Sequence, residues 1–343
     1  QQFATEFDPS SRNRFEVDKS RGFAITGVSA GLVKRVQWPD DYFTISHALG
    51  YQLYDFDNYN IGLFNFGNGT SNAITYTLGI SRSSQGPGRI FPLYGSNFDI
   101  TAKFTPPYSL FSSKDFKALK ERSDEIADSA SDGTPLTTAE INELQEIEEE
   151  RFKLLEYYKI KFRGDWFTRL VDKLVLRTNA EFGFLGNYNN DIGDVPFERF
   201  FVGGDGLGNF TLDGRDVVQL RGYENNSLTP LSINPITGRQ EREGGTIYNK
   251  FSLELRYPFT LKPSASIYGL AFLEAGNSFD NFNDFNPFQL KRSAGVGLRI
   301  FMPAFGLLGI DFGYGFDTDA NPGSVGPSGW HEAIRSIVLS KKG

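Results

Sequence analysis

The sequence predicts an all-β fold: part of a transmembrane antiparallel β-barrel, with about eleven strands. Three observations predict it. Apolar and polar residues alternate with a period of two from end to end, which is the signature of strands with two unlike faces. The polar positions are densely charged, whereas the apolar ones draw on 33 phenylalanines and 15 tyrosines. The connections between alternating segments are by turns short and long. A barrel with lipid outside and a wet lumen requires all three, because lipid cannot solvate a charge.

Taken in order, "SNFDITAKF" places Phe98, Ile100, Ala102 and Phe104 on one face and Asp99, Thr101 and Lys103 on the other. "YYKIKFRGDW" sets Tyr158, Ile160 and Phe162 against Lys159, Lys161, Arg163 and Asp165. "LVLRTNAEFGF" sets Leu176, Ala180, Phe182 and Phe184 against Arg177, Asn179, Glu181 and Gly183. "YNKFSLELRYPF" sets Phe251, Leu253, Leu255, Tyr257 and Phe259 against Lys250, Ser252, Glu254 and Arg256. "GIDFGYGFD" sets Ile310, Phe312, Tyr314 and Phe316 against Asp311, Gly313, Gly315 and Asp317. A soluble β-sandwich also alternates, but its segments are shorter and its polar face less charged. Trp38, Tyr42, Phe43, Trp166 and Tyr257 fall at strand ends, where membrane barrels carry aromatic girdles.

The short connections are 38–42, 89–96, 170–175, 261–265 and 302–306, and the long ones 57–71, 107–157, 188–245, 277–289 and 317–329. Outer-membrane barrels place short turns on one side and long loops on the other. Residues 1–20 read as a loop. An odd strand count departs from the even counts of bacterial single-chain barrels and points to further strands in a parent protein.

One segment breaks the alternation. Residues 112–156 form a charged insertion that reads helical over 114–156, in two pieces split by "SDGTP". Thr137 and Glu140 make a capping box. Ile141, Leu144 and Ile147 share a face of the second piece. Thirteen acids and six bases lie in 114–156, so this segment carries the whole net charge of −7. It reads as a solvated helical hairpin in an external loop.

The composition also excludes. With no cysteine there is neither a disulfide nor a thiolate metal site. The two histidines, His47 and His331, are far apart, and His47 lies on the apolar parity beside Ile45 and Leu49, so no catalytic constellation emerges and no enzyme is expected. "DFDNYN" (55–60) and "DNFNDFN" (280–286) lack the glycine and terminal glutamate of a calcium loop, so no metal or cofactor is expected. "GGDGLG" has no following Lys-Ser pair and is not a phosphate loop. The mildly acidic balance argues against a nucleic-acid partner. No apolar run approaches the roughly 20 residues of a membrane-spanning helix.

The long segment 188–245 contains "FFVGGDGLGN", with Gly203 and Gly204, and then "VVQLRGYENNS", with an Arg221-Gly222-Tyr223 tip. "FLEAG" follows, running from Phe272 to Gly276, then "RSAGVGLRIFMP" and "GLLGIDFGYGFD". With these motifs in this order, the chain resembles the C-terminal barrel of the BamA-type outer-membrane protein assembly factors, a surface-antigen and insertase family whose wider membership includes two-partner secretion pores. The resemblance covers about residue 20 to about 328. It implies a partial barrel over 1–343, drawn from a sixteen-strand family barrel, with the insertion in the fifth external loop and 188–245 as the sixth, folded into the lumen.

It further implies that Arg221 meets Glu274 on the inner wall, the guanidinium fork matching the carboxylate bidentately. Gly222 would allow the sharp approach and Tyr223 fill space beside the pair. Gly203, Gly204, Phe272 and Gly276 would support the motif, and Arg299 and Asp311 would extend the network. Exchanging the two charges would restore part of what either single change costs. The partners implied are unfolded outer-membrane β-barrel clients, accessory assembly lipoproteins and outer-membrane lipid. The resemblance also implies that family strands and periplasmic repeats preceding this segment belong to the parent, and that the ending "GWHEAIRSIVLSKKG" departs from the family's aromatic-terminated closing strand. On that basis the segment is expected to lack independent assembly activity.

Overall fold

A computed structural model describes residues 2–7, 15–57, 69–86, 88, 90–131, 136–206, 215–234 and 240–317 of the 343. Among them, eleven strands form one antiparallel sheet. In chain order these are β1 (Gln2–Phe7), β2 (Phe15–Val36), β3 (Phe43–Asp57), β4 (Gly69–Ser83), β5 (Gly95–Phe104), β6 (Tyr158–Val171) and β7 (Leu174–Gly186), followed by β12 (Ile247–Lys262), β13 (Ala265–Phe279), β14 (Lys291–Met302) and β15 (Gly306–Gly315). Each pairs with its neighbour in the chain, and β7 pairs with β12 across the long segment between them. That segment holds the short strands β8 (Phe200–Val202), β9 (Asp216–Val218), β10 (Leu231–Ile233) and β11 (Gln240–Arg242). Among the described residues β1 and β15 do not pair, so the sheet is open.

The alternation read from the sequence sorts onto the two faces. On β12, Phe251, Leu253, Leu255, Tyr257 and Phe259 are exposed on the convex face while Lys250, Ser252 and Glu254 are buried on the concave one. On β13, Leu273 is 57% exposed and its neighbour Glu274 only 3%. That is the reverse of a water-soluble sheet, and it is what a wall with lipid behind it demands. No described helix is long and apolar enough to cross a membrane.

Residues 1–20 differ from the loop the sequence suggested. Residues 2–7 and 15–20 lie in strands, with Phe7 opposite Phe15 and Glu6 opposite Glu16, so the count of eleven begins within this stretch. The connection read as 89–96 runs over 84–94 and folds inward. Phe91 is buried there, its ring 5.2 Å edge-on to Tyr268 of β13, in a cluster with Phe167, Val175, Leu270 and Phe272. The contact spans the concave face from one side to the other, so the sheet is strongly curled.

The insertion folds into α1 (Phe116–Ser131) and α2 (Thr138–Arg151), with the Thr137–Glu140 capping box formed. Leu144 and Ile147 pack against Ile126 of α1. The hairpin is not solvated all round, however, because Glu148 and Arg151 are also buried at its root.

Candidate functional site

The described residues of the long segment 187–246 pack into the concavity. Phe197, Phe200, Phe201, Val202, Val218 and Leu220 form its core, which meets Phe23, Tyr54, Phe56 and Ala73 from β2–β4 on one side and Tyr248 of β12 on the other. Burial of so many aromatics on both walls holds the segment inside at the long-loop end.

Its tip places Arg221 against β13. The Arg221 backbone N–H donates to Glu274 Oε2 at 2.8 Å, while Nε and Nη2 both donate to Glu274 Oε1, at 3.0 and 2.6 Å. The structure thus brings the expected pair together with a different geometry. The fork converges on one carboxylate oxygen, because the other is taken by the arginine's own backbone. Nη2 also donates to Glu254 Oε1 at 2.7 Å, and Nη1 stands 3.5 Å from Asp311 Oδ2. The guanidinium carbon lies 3.7 Å above the Phe272 ring. Burial alone would push the Arg221 pKa down, but Glu274 and Glu254 outweigh it and hold the group firmly protonated.

Strand register explains the fit. Glu274 is paired laterally with Ser252 and Ser293, two small neighbours that leave room for the incoming guanidinium. Asp311 bonds Arg299 through Nη1 and Nη2, at 2.8 and 2.7 Å. The network extends the other way through Glu254, which accepts from Arg256 and lies 3.2 Å from Arg177, itself paired with Asp165.

The glycines of β14 and β15 are seats for these groups. A methyl carbon at Gly297 would stand 2.0 Å from Asp311 Oδ1, one at Gly295 would stand 2.4 Å from the Phe272 ring, and one at Gly313 2.8 Å from the Gly222 nitrogen. Gly222 itself adopts φ +89°, open to glycine and strained for other residues. Tyr223 reaches the neighbouring strands β14 and β15. Its hydroxyl donates to the Arg292 carbonyl at 2.7 Å, and its ring lies against Gly315. Gly203 and Gly204, at φ +122° and +83°, let the chain pass against residues 224–227, and Gly276 gives Leu220 its approach to the wall.

A second ionic cluster, with no sequence motif to announce it, fixes the start of the same segment. Glu198 accepts from Lys103 at 2.5 Å and from Lys159 at 3.1 Å, and Asp216 stands 3.0 Å from Lys159 and 2.8 Å from Lys161. Burial pushes the Glu198 carboxyl up, but Lys159 and Lys103 outweigh it and hold it at about 2. Between the long segment and the 84–94 connection remains a chamber of about 1020 Å³, lined by Lys161, Asp165, Arg177 and Glu254 among others.

The other singled-out residues stay apart from this site. His47 is exposed on the convex face, its Nδ1 2.7 Å from the Tyr76 hydroxyl. Asn281 and Asp284 bond to each other within their turn. His331 and residues 58–60 lie outside the described residues. Among the described residues no cluster of His, Asp and Glu is placed to hold a metal.

An open antiparallel wall, apolar outside and charged inside, with an arginine-tipped loop packed in its concavity, defines a membrane β-barrel domain with an occupied lumen. The chain belongs to the Omp85 superfamily: the family's profile, described as the Omp85 superfamily domain, matches residues 3–327. This is a family of outer-membrane β-barrels, and its members include both insertases and two-partner secretion translocators. No curated protein matches the chain.

Proposed function

We propose that this chain is the barrel portion of an insertase that assembles β-barrel proteins into the outer membrane, with its long loops outside the cell and its short turns in the periplasm. The observation that carries the reading is the occupied lumen. The long loop fills the external half, and the 84–94 turn reaches across the periplasmic half to Tyr268. A client threading through the lumen would have to displace both. A client adding strands at the wall would displace neither. Such addition is β-augmentation, in which backbone hydrogen bonds supply the affinity. The Arg221–Glu274 contact then acts as a lock that holds the loop inside and braces the wall away from the seam. Unfolded outer-membrane barrels are the proposed clients, assisted by lipoproteins and the surrounding lipid. No catalytic chemistry is invoked.

The test uses the full-length protein in liposomes, with a urea-unfolded outer-membrane barrel as client. Faster appearance of folded, membrane-embedded client than in empty liposomes supports insertion. Client that crosses the bilayer and accumulates as a soluble species points instead to a translocating pore, the reading favoured by the charged lining of the chamber.

A further inference from the structure

We propose that the helical insertion is a clamp on the lumen-filling loop: Arg151 at the end of α2 grips the loop where it leaves β7 and closes the long-loop mouth. Arg151 Nη2 donates to the Ile192 carbonyl at 2.7 Å. Its other terminal nitrogen, Nη1, donates to Glu148 Oε1 at 2.8 Å and to Ser123 Oγ of α1 at 3.4 Å. The guanidinium is therefore oriented by both helices before it meets the loop. Burial of all these groups makes the contact specific, since a buried donor left without its acceptor is costly.

The loop is shaped for the grip. Residues 189–193 form a tight turn in which the Ile192 and Gly193 N–H groups both donate to the Asn189 carbonyl. Gly193 has φ +84°, and a methyl carbon there would stand 3.1 Å from Arg151 Nη2. Lys120 of α1 adds a second contact, to the Asn190 carbonyl at 3.1 Å.

The helices are themselves tied to the wall. Ser71 Oγ donates to the Phe152 carbonyl at 2.7 Å, and Asn72 exchanges backbone hydrogen bonds with Lys153 and Leu155. Phe152 and Leu155 then join Ile192, Val195 and Phe197 in the core that fills the mouth. The insertion thus bridges β4 and the loop. The loop is pinned at its start by Arg151 and at its tip by Arg221, two contacts that share no residue. The clamp is independent of whether the barrel inserts or translocates clients.

The test is amide hydrogen exchange of residues 187–198 in the full-length protein in lipid nanodiscs, together with conductance in planar bilayers. Arg151→Ala is expected to speed exchange there about tenfold, the loss of one charge-assisted bond, and to add larger conductance steps. Arg151→Lys recovers part of both. Arg122→Ala removes the exposed bonds to Glu143 and Glu125, which do not touch the loop, and leaves 187–198 unchanged. Wild-type exchange in Arg151→Ala, with helical content retained by circular dichroism, overturns the clamp. If that variant loses its helices, Lys120→Met decides: faster exchange at 189–191 supports the clamp and wild-type exchange overturns it.

Discussion

Removing the Arg221 side chain should cost more than any other single change in the lumen, and the structure says where the cost falls. Glu254 keeps Arg256 and Arg177, and Asp311 keeps Arg299. Glu274 loses both bonds from the guanidinium and retains only the backbone N–H at position 221 and Lys250, at 3.8 Å. Arg221→Ala therefore leaves one buried carboxylate without its close countercharge. Breaking a buried pair in this way costs about 3–5 kcal/mol, or roughly two to four orders of magnitude in the closed–open equilibrium of the tip. The assay is amide exchange of residues 215–231 in the full-length protein. Glu274→Gln should cost less, because the glutamine amide still offers an acceptor and Arg221 still faces Glu254 and Asp311. The double variant should fall well short of the sum, since nothing charged is stranded at 274, although Lys250 then lacks its partner and the relief is partial. The charge exchange that the sequence suggested as a rescue should fail. A glutamate at 221 would face Glu254 and Asp311, and an arginine at 274 would face Lys250. Single variants at wild-type exchange, or an additive double, would refute the lock.

Three further outcomes follow from neighbouring contacts. Gly297→Ala forces a methyl carbon into the Asp311 carboxylate and should loosen the Arg299–Asp311 pair, lowering the thermal midpoint by an amount consistent with about 1–3 kcal/mol of overpacking; an unchanged midpoint contradicts the seat. Phe91→Ala empties the contact on Tyr268 and should release the 84–94 turn at a cost of about 3–5 kcal/mol, read as loss of exchange protection over 84–94 with the tip unaffected. Glu198 has its pKa held at about 2 in the folded protein, against about 4.3 for an unperturbed glutamate. A depressed acid stabilises fully above the unfolded value, so the start of the loop should stay protected at pH 5 and loosen only as the pH falls from about 4 toward 2; Glu198→Gln should remove that acid transition from an exchange-versus-pH profile.

The strands were legible because two solvents enforce their pattern. A lipid-facing charge is so unfavourable that period-two alternation survives without exception on β12 from Phe251 to Tyr257. The position of Glu254 in the site was also nearly legible. A two-residue turn at 263–264 pairs Lys262 with Ala265 and, by counting alone, would set Glu274 opposite Leu253. Those two residues have opposite parity, so one strand must hold an extra residue. It does so between Pro258 and Thr260, where Pro258 has no N–H to give the ladder, and the register becomes Ser252 opposite Glu274. Glu254 then lies diagonal to Glu274, on the same face and within reach of the same guanidinium. The path of the loop was not legible, because neither the Glu198 cluster nor the inward 84–94 turn follows from periodicity. Each depends on contacts between residues distant in sequence.

The ionic network also explains why a single loop arginine can matter to a whole wall. Asp165 on β6, Arg177 on β7, Glu254 on β12, Glu274 on β13, Arg299 on β14 and Asp311 on β15 lie on six consecutive strands. Arg221 joins the acids of three of them, and Glu254 links it to Arg177 and so to Asp165. Side-chain ties across strands resist the sliding and hinging that would open a sheet laterally, beyond what backbone pairing supplies. On the concave face of β3 and β4, by contrast, Ser46, Ala48, Gly50, Thr75 and Thr77 carry no charge. The wall is therefore stiffened ionically over β6–β15 and held over β2–β4 by backbone pairing, the side-chain hydrogen bonds Tyr51–Asn72 and His47–Tyr76, and the aromatic cluster at one end. Lateral give in the described barrel should then concentrate among β2–β4 and spare the Arg221 wall. Spin-label pairs across β3–β4 and across β13–β14 in the full-length protein would measure it: a broader distance distribution in the first pair is expected, and equal widths would count against this division.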